Sequence, residues 1–473
     1  MIPDAAPTIY IKTFGCQMNV ADSRRMLAHF EQRGYRESSQ LALSDVILLN
    51  TCSIREKAEQ KVLSLLGELR GVKQNNPHCV LGVTGCVGQR MGRVLLEKVP
   101  HLDLVVGPDQ VDVIYEMVEE VKQGGRRRVA SELTADKSRT YVQPILGGTG
   151  RPSEYVTIMK GCDHFCTYCI VPFVRGREQS RRIADILEEV HRRVLQGAKE
   201  IIFLGQNINT YGKGTSENLA QLLAEASQVE GLLRVRYLTS HPYDLGLDLM
   251  CQFGSVPKLM PQLHLPAQSG SNAVLKAMGR IYSREQYLEK VATLRSYCPG
   301  IALSTDMIVG FPGETDHDFA QSLSLMEEVG FGSAYLFKYS VRPGTKAAKL
   351  VSSDTTLSEI PERVKSDRLK EIQGVAERHI ERQNQALVGT TQEVLLERPD
   401  KRQGHLCGRT PHFKMVHVPQ VSQDLSGHVV PVTITHATAV ALYGRLAPRT
   451  SAPSEPLRPV APCAPQVNTT WVH

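Results

Sequence analysis

The sequence predicts an α/β protein in three parts: an N-terminal doubly wound parallel sheet, a central partial (β/α)6 TIM-like barrel, and a small antiparallel β-barrel at the C-terminus. Three observations predict it. Short apolar runs alternate with helical stretches over residues 8–123, the pattern of a parallel sheet. Six further strand–helix units follow within 151–385, two fewer than a complete barrel of this type needs. Residues 388–449 then turn to Val, Thr and His in short alternating runs such as Val429-Val-Pro-Val-Thr-Ile-Thr435.

In the first unit, strands are expected at 9–14, 45–50, 79–84 and 102–106, with helices at 21–32, 55–73, 92–99 and from 110. A linker, 124–150, is bracketed by Gly124-Gly125 and Gly147-Gly148. In the second unit, strands are expected at 155–159, 200–204, 234–238, 262–265, 301–309 and 333–338. Helices begin near 180, 217, 244, 272, 283 and 316, and a charged helix covers 357–385. The tail, 450–473, is rich in Pro and Ser and reads as disordered.

The length of 473 residues fits about three domains. With 41% hydrophobic and 22% charged residues the composition is that of an ordinary globular protein, which excludes whole-chain disorder. No window approaches the roughly 18 apolar residues of a membrane span. The opening Met1-Ile-Pro-Asp-Ala-Ala-Pro7 lacks the basic and apolar segments of a secretory leader, so a cytoplasmic location is expected. A net charge of +6 permits a nucleic-acid partner without requiring one.

In a reducing compartment the 11 cysteines read as metal ligands, catalytic groups or core residues. Cys162, Cys166 and Cys169 form C-x3-C-x2-C in Gly161-Cys-Asp-His-Phe-Cys-Thr-Tyr-Cys169, directly after the first strand of the central unit. Three close thiolates can ligate three irons of a cubane and leave the fourth open to a small molecule. The alternative is zinc, which needs a fourth ligand that His164, inside the loop, is poorly placed to give. Cys16, Cys52 and Cys86 are 36 and 34 residues apart, yet each follows a strand of the first sheet. Loops at the carboxyl ends of adjacent parallel strands converge, so these three can form a second metal site, or be three separate buried thiols. Cys79 begins a strand and reads as core; Cys251, Cys298, Cys407 and Cys463 have no partners in view.

The cysteine spacing, with Tyr168 before the third thiol, resembles the radical S-adenosylmethionine superfamily. Thr13-Phe-Gly-Cys-Gln-Met-Asn19, Asn50-Thr-Cys-Ser-Ile-Arg-Glu-Lys-Ala-Glu-Gln-Lys61 and Cys166-Thr-Tyr-Cys-Ile-Val-Pro-Phe-Val-Arg-Gly-Arg177 resemble the methylthiotransferases within it, and the likeness extends over about 8–446. Gly15-Cys-Gln-Met-Asn19 points to the bacterial branch acting on N6-isopentenyladenosine of tRNA. The family consists of a methylthiotransferase domain, a radical S-adenosylmethionine core and a TRAM domain, matching 8–123, 151–385 and 388–449. The resemblance implies two [4Fe-4S] clusters, one on Cys162, Cys166 and Cys169 and one on Cys16, Cys52 and Cys86, together with S-adenosylmethionine. One S-adenosylmethionine would methylate sulfur on the second cluster, and another would yield the radical that takes hydrogen from C2 of adenine. Tyr168, Gln206, Ser240, Gln268 and Asp306, near barrel strand ends, would contact S-adenosylmethionine, against a reading as packing or loop-capping residues. Arg175, Arg177, Arg181 and Arg182 can reach phosphate or carboxylate, or simply start a solvated helix.

Partners implied are tRNA and an electron donor such as flavodoxin or ferredoxin, with no membrane and a monomeric enzyme. The TRAM segment carries seven Lys/Arg against four Asp/Glu, and its removal is expected to weaken tRNA binding while sparing cofactor cleavage. Two rival readings stay open. The same chemistry can serve threonylcarbamoyladenosine of tRNA or a ribosomal-protein aspartate, and a metal-bearing RNA-binding module would have no turnover.

Overall fold

A computed structural model describes residues 6–53, 56–133, 141, 150–352, 359–400, 404–419 and 424–448. The Pro-rich tail, with Cys463, and most of the expected linker lie outside the described residues.

The first unit is a six-stranded parallel sheet of β1 (Thr8–Phe14), β2 (Arg36–Glu37), β3 (Val46–Thr51), β4 (Val80–Thr84), β5 (Leu104–Val106) and β6 (Arg128–Ala130), in the order β2-β1-β3-β4-β5-β6. β3 and β4 are buried throughout because helices cover both faces, which is why their sequences are continuous apolar runs. Three features differ from expectation. β2, a two-residue exposed edge strand beside β1, is too short to leave a pattern in the sequence. β6 lies inside the expected linker and extends the sheet beside β5. The helix expected at 92–99 spans Gly85–Lys98, broken at Gly92 (φ 46°, ψ −125°). Its glycine-rich start hides the periodicity, and packing requires that start: a Cβ on Gly88 would lie 2.6 Å from the Val106 carbonyl oxygen.

The central unit carries β7 (Ser153–Thr157), the short pair β8 (Met159–Lys160) and β9 (Gln179–Ser180), then β10 (Glu200–Leu204), β11 (Arg234–Tyr237), β12 (Gln262–His264), β13 (Ala302–Val309) and β14 (Ser333–Lys338). The six barrel strands form two parallel halves, β11-β10-β7 and β12-β13-β14, joined by a single bridge between Val235 and Leu259. This is the open six-strand barrel that the sequence predicts. Its core runs from Val156 and Phe203 to Leu303 and Phe331, packed by the surrounding helices.

The C-terminal unit is a closed five-stranded barrel of β15 (Thr391–Asp400), β16 (His405–Arg409), β17 (Met415–Pro419), β18 (Val429–Ala437) and β19 (Leu442–Leu446), in the order β15-β16-β17-β19-β18. The β17–β19 pair is parallel, so the barrel is not wholly antiparallel. Periodicity cannot register that pairing, because it reports which face of a strand is buried and not the direction of its neighbour.

The small barrel is not an appendage. Arg234 donates to the Arg409 carbonyl at 2.7 Å, and Arg236 donates to the carbonyls of Pro411 and Thr410 at 2.7 and 2.9 Å. The Glu362–Gln385 helix adds Asn384 to the Thr438 carbonyl at 2.7 Å and Gln385 to the Ala437 carbonyl at 2.9 Å. Both arginines are buried, so the docking holds two cations out of water. No helix of the described residues is long and apolar enough to cross a membrane.

Candidate functional site

The C-x3-C-x2-C loop leaves β8 through Gly161, whose φ is +77° and where a Cβ would lie 2.0 Å from the Arg177 carbonyl oxygen. Glycine is required there because the loop folds flat against the returning chain. Backbone bonds fix the rest: Cys162 N–H to the Gly176 carbonyl (3.1 Å), Thr167 N–H to Met278 (2.8 Å) and Cys169 N–H to Cys166 (2.9 Å). All three thiols are free. Burial pushes Cys162 up and Cys169 up to about 12, and the three sulfurs repel one another as thiolates. Such a loop becomes ionised when a cation arrives to ligate it. Arg280, buried, waits beside it: its Nη1 donates to Cys166 Sγ at 3.5 Å.

The other three cysteines also converge. Cys16 caps the Gln17–Glu31 helix, Cys52 follows β3, and Cys86 sits in the first turn of the Gly85–Lys98 helix. A hydrogen bond from the Cys52 thiol is the largest influence on Cys16 and, with the nearby Arg175 charge, lowers it to about 6 against the opposing effect of burial. Burial raises Cys86, partly offset by Arg175. Arg175 donates to Asp22 of the first unit at 2.7 Å, with both side chains buried. This explains two of the spaced-out thiols meeting a third: the sheet order places β1, β3 and β4 side by side, with their carboxyl ends on one edge.

The donor sets fit polynuclear clusters better than single ions. Among the described residues, the only His, Cys, Asp and Glu ligand atoms that converge by threes within 4.8 Å belong to His164, His241 and Asp244. Neither cysteine triad closes that tightly, as a tetrahedral zinc site would. His164 is therefore engaged elsewhere: its Nε2 is 2.6 Å from Asp244 Oδ2 and its ring stacks on His241 at 4.0 Å.

A cavity of about 480 Å3 joins the parts. Cys16, Cys52, Cys86 and Arg175 line it on one side, and Gln206, Thr239, His264 and Asp306 on another. Of the five residues expected to contact S-adenosylmethionine, Gln206 and Asp306 face this cavity. Ser240 and Gln268 are buried beside it, and Tyr168 packs near Val274, Met278 and Phe311. The barrel rim fits a polar ligand. Gln206 Oε1, Asn207 Oδ1, Ser240 Oγ and His241 Nε2 are buried without a hydrogen-bond partner, a set too costly to leave unmatched. Thr239 (φ 75°) and Gln268 (φ 70°) hold left-handed backbone at the same rim, strain of the kind that gathers at binding sites.

The arginines divide. Arg181 is buried against Glu189 at 2.6 Å and serves the fold. Arg177 and Arg182 are exposed and pair with Asp163 and Asp185. Sequence reading missed Arg280, which lies 111 residues beyond Cys169 with no local signal. It also gave no role to Phe413, which lines the cavity from the small barrel.

Comparison with known proteins places this geometry. Residues 8–107 match the Uncharacterized protein family UPF0004, 156–326 the Radical SAM superfamily, and 385–447 the TRAM domain. The superfamily carries S-adenosylmethionine and a [4Fe-4S] cluster, and a TRAM domain is an RNA-binding module. Among solved structures, the radical S-adenosylmethionine methyltransferase TsrM of Kitasatospora setae is similar in fold, with TM-score 0.54 and 12% identity over 74% of this chain and 75% of that one. The tRNA-2-methylthio-N(6)-dimethylallyladenosine synthase of Trichlorobacter lovleyi is 44% identical over 440 residues, 93% of this chain and 99% of that one. That of Syntrophobacter fumaroxidans is 46% identical over 447 residues, 93% and 95% of the two chains. Identity at this level over nearly the whole of each chain shows that the protein belongs to the family of tRNA-2-methylthio-N(6)-dimethylallyladenosine synthases.

Proposed function

We propose that this chain is a tRNA methylthiotransferase that places a methylthio group on C2 of N6-isopentenyladenosine at position 37, beside the anticodon. The observation that carries the reading is that Cys16, Cys52 and Cys86 face the same cavity as Gln206 and Asp306. A sulfur-handling site and a polar cofactor rim thus open on one space able to take one base. Cys162, Cys166 and Cys169 would hold one [4Fe-4S] cluster, and Cys16, Cys52 and Cys86 a second. When bound, these clusters and S-adenosylmethionine supply hydrogen abstraction, sulfur and the methyl group.

The chain's own residues do the rest. Arg280 and Arg175 each set a buried positive charge beside one thiol triad, favouring the anionic ligands. When S-adenosylmethionine is bound, Gln206, Ser240, Gln268 and Asp306 would orient its polar groups, and Tyr168 would support its adenine. The TRAM barrel binds tRNA, an electron donor such as flavodoxin or ferredoxin reduces the enzyme, and the protein works as a monomer in the cytoplasm. The test is nucleoside mass spectrometry of tRNA from a deletion strain. The 2-methylthio derivative of isopentenyladenosine should vanish and the unthiolated nucleoside accumulate; an unchanged 2-methylthio signal removes this substrate.

A further inference from the structure

Beside Cys16 the cavity changes character. Met18 and Leu238 belong to a small buried apolar cluster, and Tyr155 and Phe413 pack against it together with Cys16 itself. All four of these residues line the cavity, and they come from all three units of the chain. Elsewhere the lining is mixed: Gln206, His264 and Asp306 are polar, and Leu303, Tyr335, Phe337 and Leu442 are apolar.

Phe413 is held there at a cost. It sits in the connection between β16 and β17 with φ +66°, a conformation that a bulky side chain rarely takes. The turn is tied by Phe413 N–H to the Thr410 carbonyl (3.0 Å) and Lys414 N–H to Thr410 Oγ1 (3.1 Å). Its ring lies between two guanidinium groups, Arg236 at 4.9 Å and Arg409 at 4.2 Å from the centroid. Strained backbone clamped by two cations is over-determined, which is how such a residue persists at a functional site.

We propose that the wall formed by Met18, Tyr155, Leu238 and Phe413 receives the branched five-carbon chain on N6 of the adenine, so that the TRAM unit reads the base modification as well as the tRNA backbone. This rests on the substrate proposed above. In the adenine ring only N1 separates C2 from C6. A base that presents C2 to Cys16, Cys52 and Cys86 therefore carries its N6 substituent alongside those thiols, where this wall begins. An apolar chain gains by leaving water there. A threonylcarbamoyl chain would bring a carboxylate against the same wall. Of the three Arg and Lys side chains lining the cavity, Arg409 is engaged with Glu397 at 3.5 Å, with the Phe413 carbonyl at 3.2 Å and with the Phe413 ring, Arg175 with Asp22 at 2.7 Å, and Lys414 with the Gly332 carbonyl at 3.5 Å.

The experiment measures Kd of the full-length protein for two anticodon stem-loop RNAs of one sequence, with isopentenyladenosine or adenosine at the target position. Wild type should favour the isopentenyl RNA. Phe413→Ala and, separately, Met18→Ala should reduce that preference about tenfold while adenosine RNA binds as before, and Phe413→Leu should restore most of it. A fold defect or a purely structural role would weaken both RNAs alike, leave the preference intact and overturn the proposal. Tighter binding of a threonylcarbamoyl stem-loop than of the isopentenyl one would overturn it as well. If the deletion strain keeps its 2-methylthio signal, the substrate reading fails first; if that signal is lost but the preference survives both substitutions, only the wall is wrong.

Discussion

Replacing Arg236 by Met removes a cation on which two units of the molecule depend. The residue is 1% exposed. Its Nε donates to Glu200 Oε2 at 2.7 Å, its two Nη atoms donate to the Pro411 and Thr410 carbonyls, and its guanidinium faces the Phe413 ring. Glu200 is itself fully buried, so the variant strands a carboxylate that retains the Ser153 hydroxyl at 3.0 Å. Breaking a buried ion pair from one side costs about 3–5 kcal/mol. Loss of the ring contact adds up to about 2 kcal/mol, and burial of the methionine side chain returns a similar amount. The net loss is therefore about 3–5 kcal/mol. Calorimetry on wild type, Arg236→Met, Glu200→Gln and the double variant checks this. The double variant should recover roughly half of the Arg236→Met loss, because a neutral amide replaces the stranded charge. A loss below about 1 kcal/mol, or a double variant as unstable as the sum of the singles, would refute the reasoning.

The remaining expectations are shorter. Cys16→Ala, Cys52→Ala and Cys86→Ala together should halve the iron from about eight to about four per chain, keep S-adenosylmethionine cleavage and abolish thiolation; methylthiolated product from that variant would show that sulfur arrives by another route. Gly161→Ala should lose the other half of the iron without global unfolding, since its Cβ would meet the Arg177 carbonyl; full iron content would show that the loop tolerates a side chain. Lys414 is lowered by burial from 10.5 to about 8. Between those values the unfolded chain binds more protons than the folded one, so this residue makes stability rise with pH from about 8 to 10.5 and leaves its full penalty in place below about 8. Lys414→Met should raise Tm at pH 7 by relieving up to about 3 kcal/mol and flatten that slope; an unchanged melting profile from pH 7 to 10 would contradict it.

Much of this was legible in the residues. The six barrel strands follow from apolar runs, and the position of Cys16, Cys52 and Cys86 after successive strands follows from the same pattern, because parallel sheets gather strand ends on one edge. Cys79 is core, as its place at a strand start implies. What escaped depends on distant pairing. Arg280 reaches Cys166 and Arg234 reaches the Arg409 carbonyl across 114 and 175 residues, and no local spacing announces either contact. The same blindness made the TRAM segment read as a detachable RNA anchor. With buried Arg234 and Arg236 bonded to its backbone, its removal exposes the barrel itself, and truncation is expected to destabilise the core rather than spare it.

One short helix has a mechanical meaning. Val171–Arg175 begins two residues after Cys169 and ends on the arginine that bonds Asp22 and stands beside Cys16 and Cys86. Five helical residues make a rod of about 7–8 Å, stiffened by Pro172 near its start and terminated by Gly176 at φ 75°. The covalent spacer therefore sets how far Arg175 stands from the first triad, and the Arg175–Asp22 ion pair carries that spacing across to the unit that holds the second. Inserting a single residue would rotate Arg175 by roughly 100° away from Asp22. Half of the gap between the two triads is thus written into the chain as a length, and the other half rests on one buried ion pair.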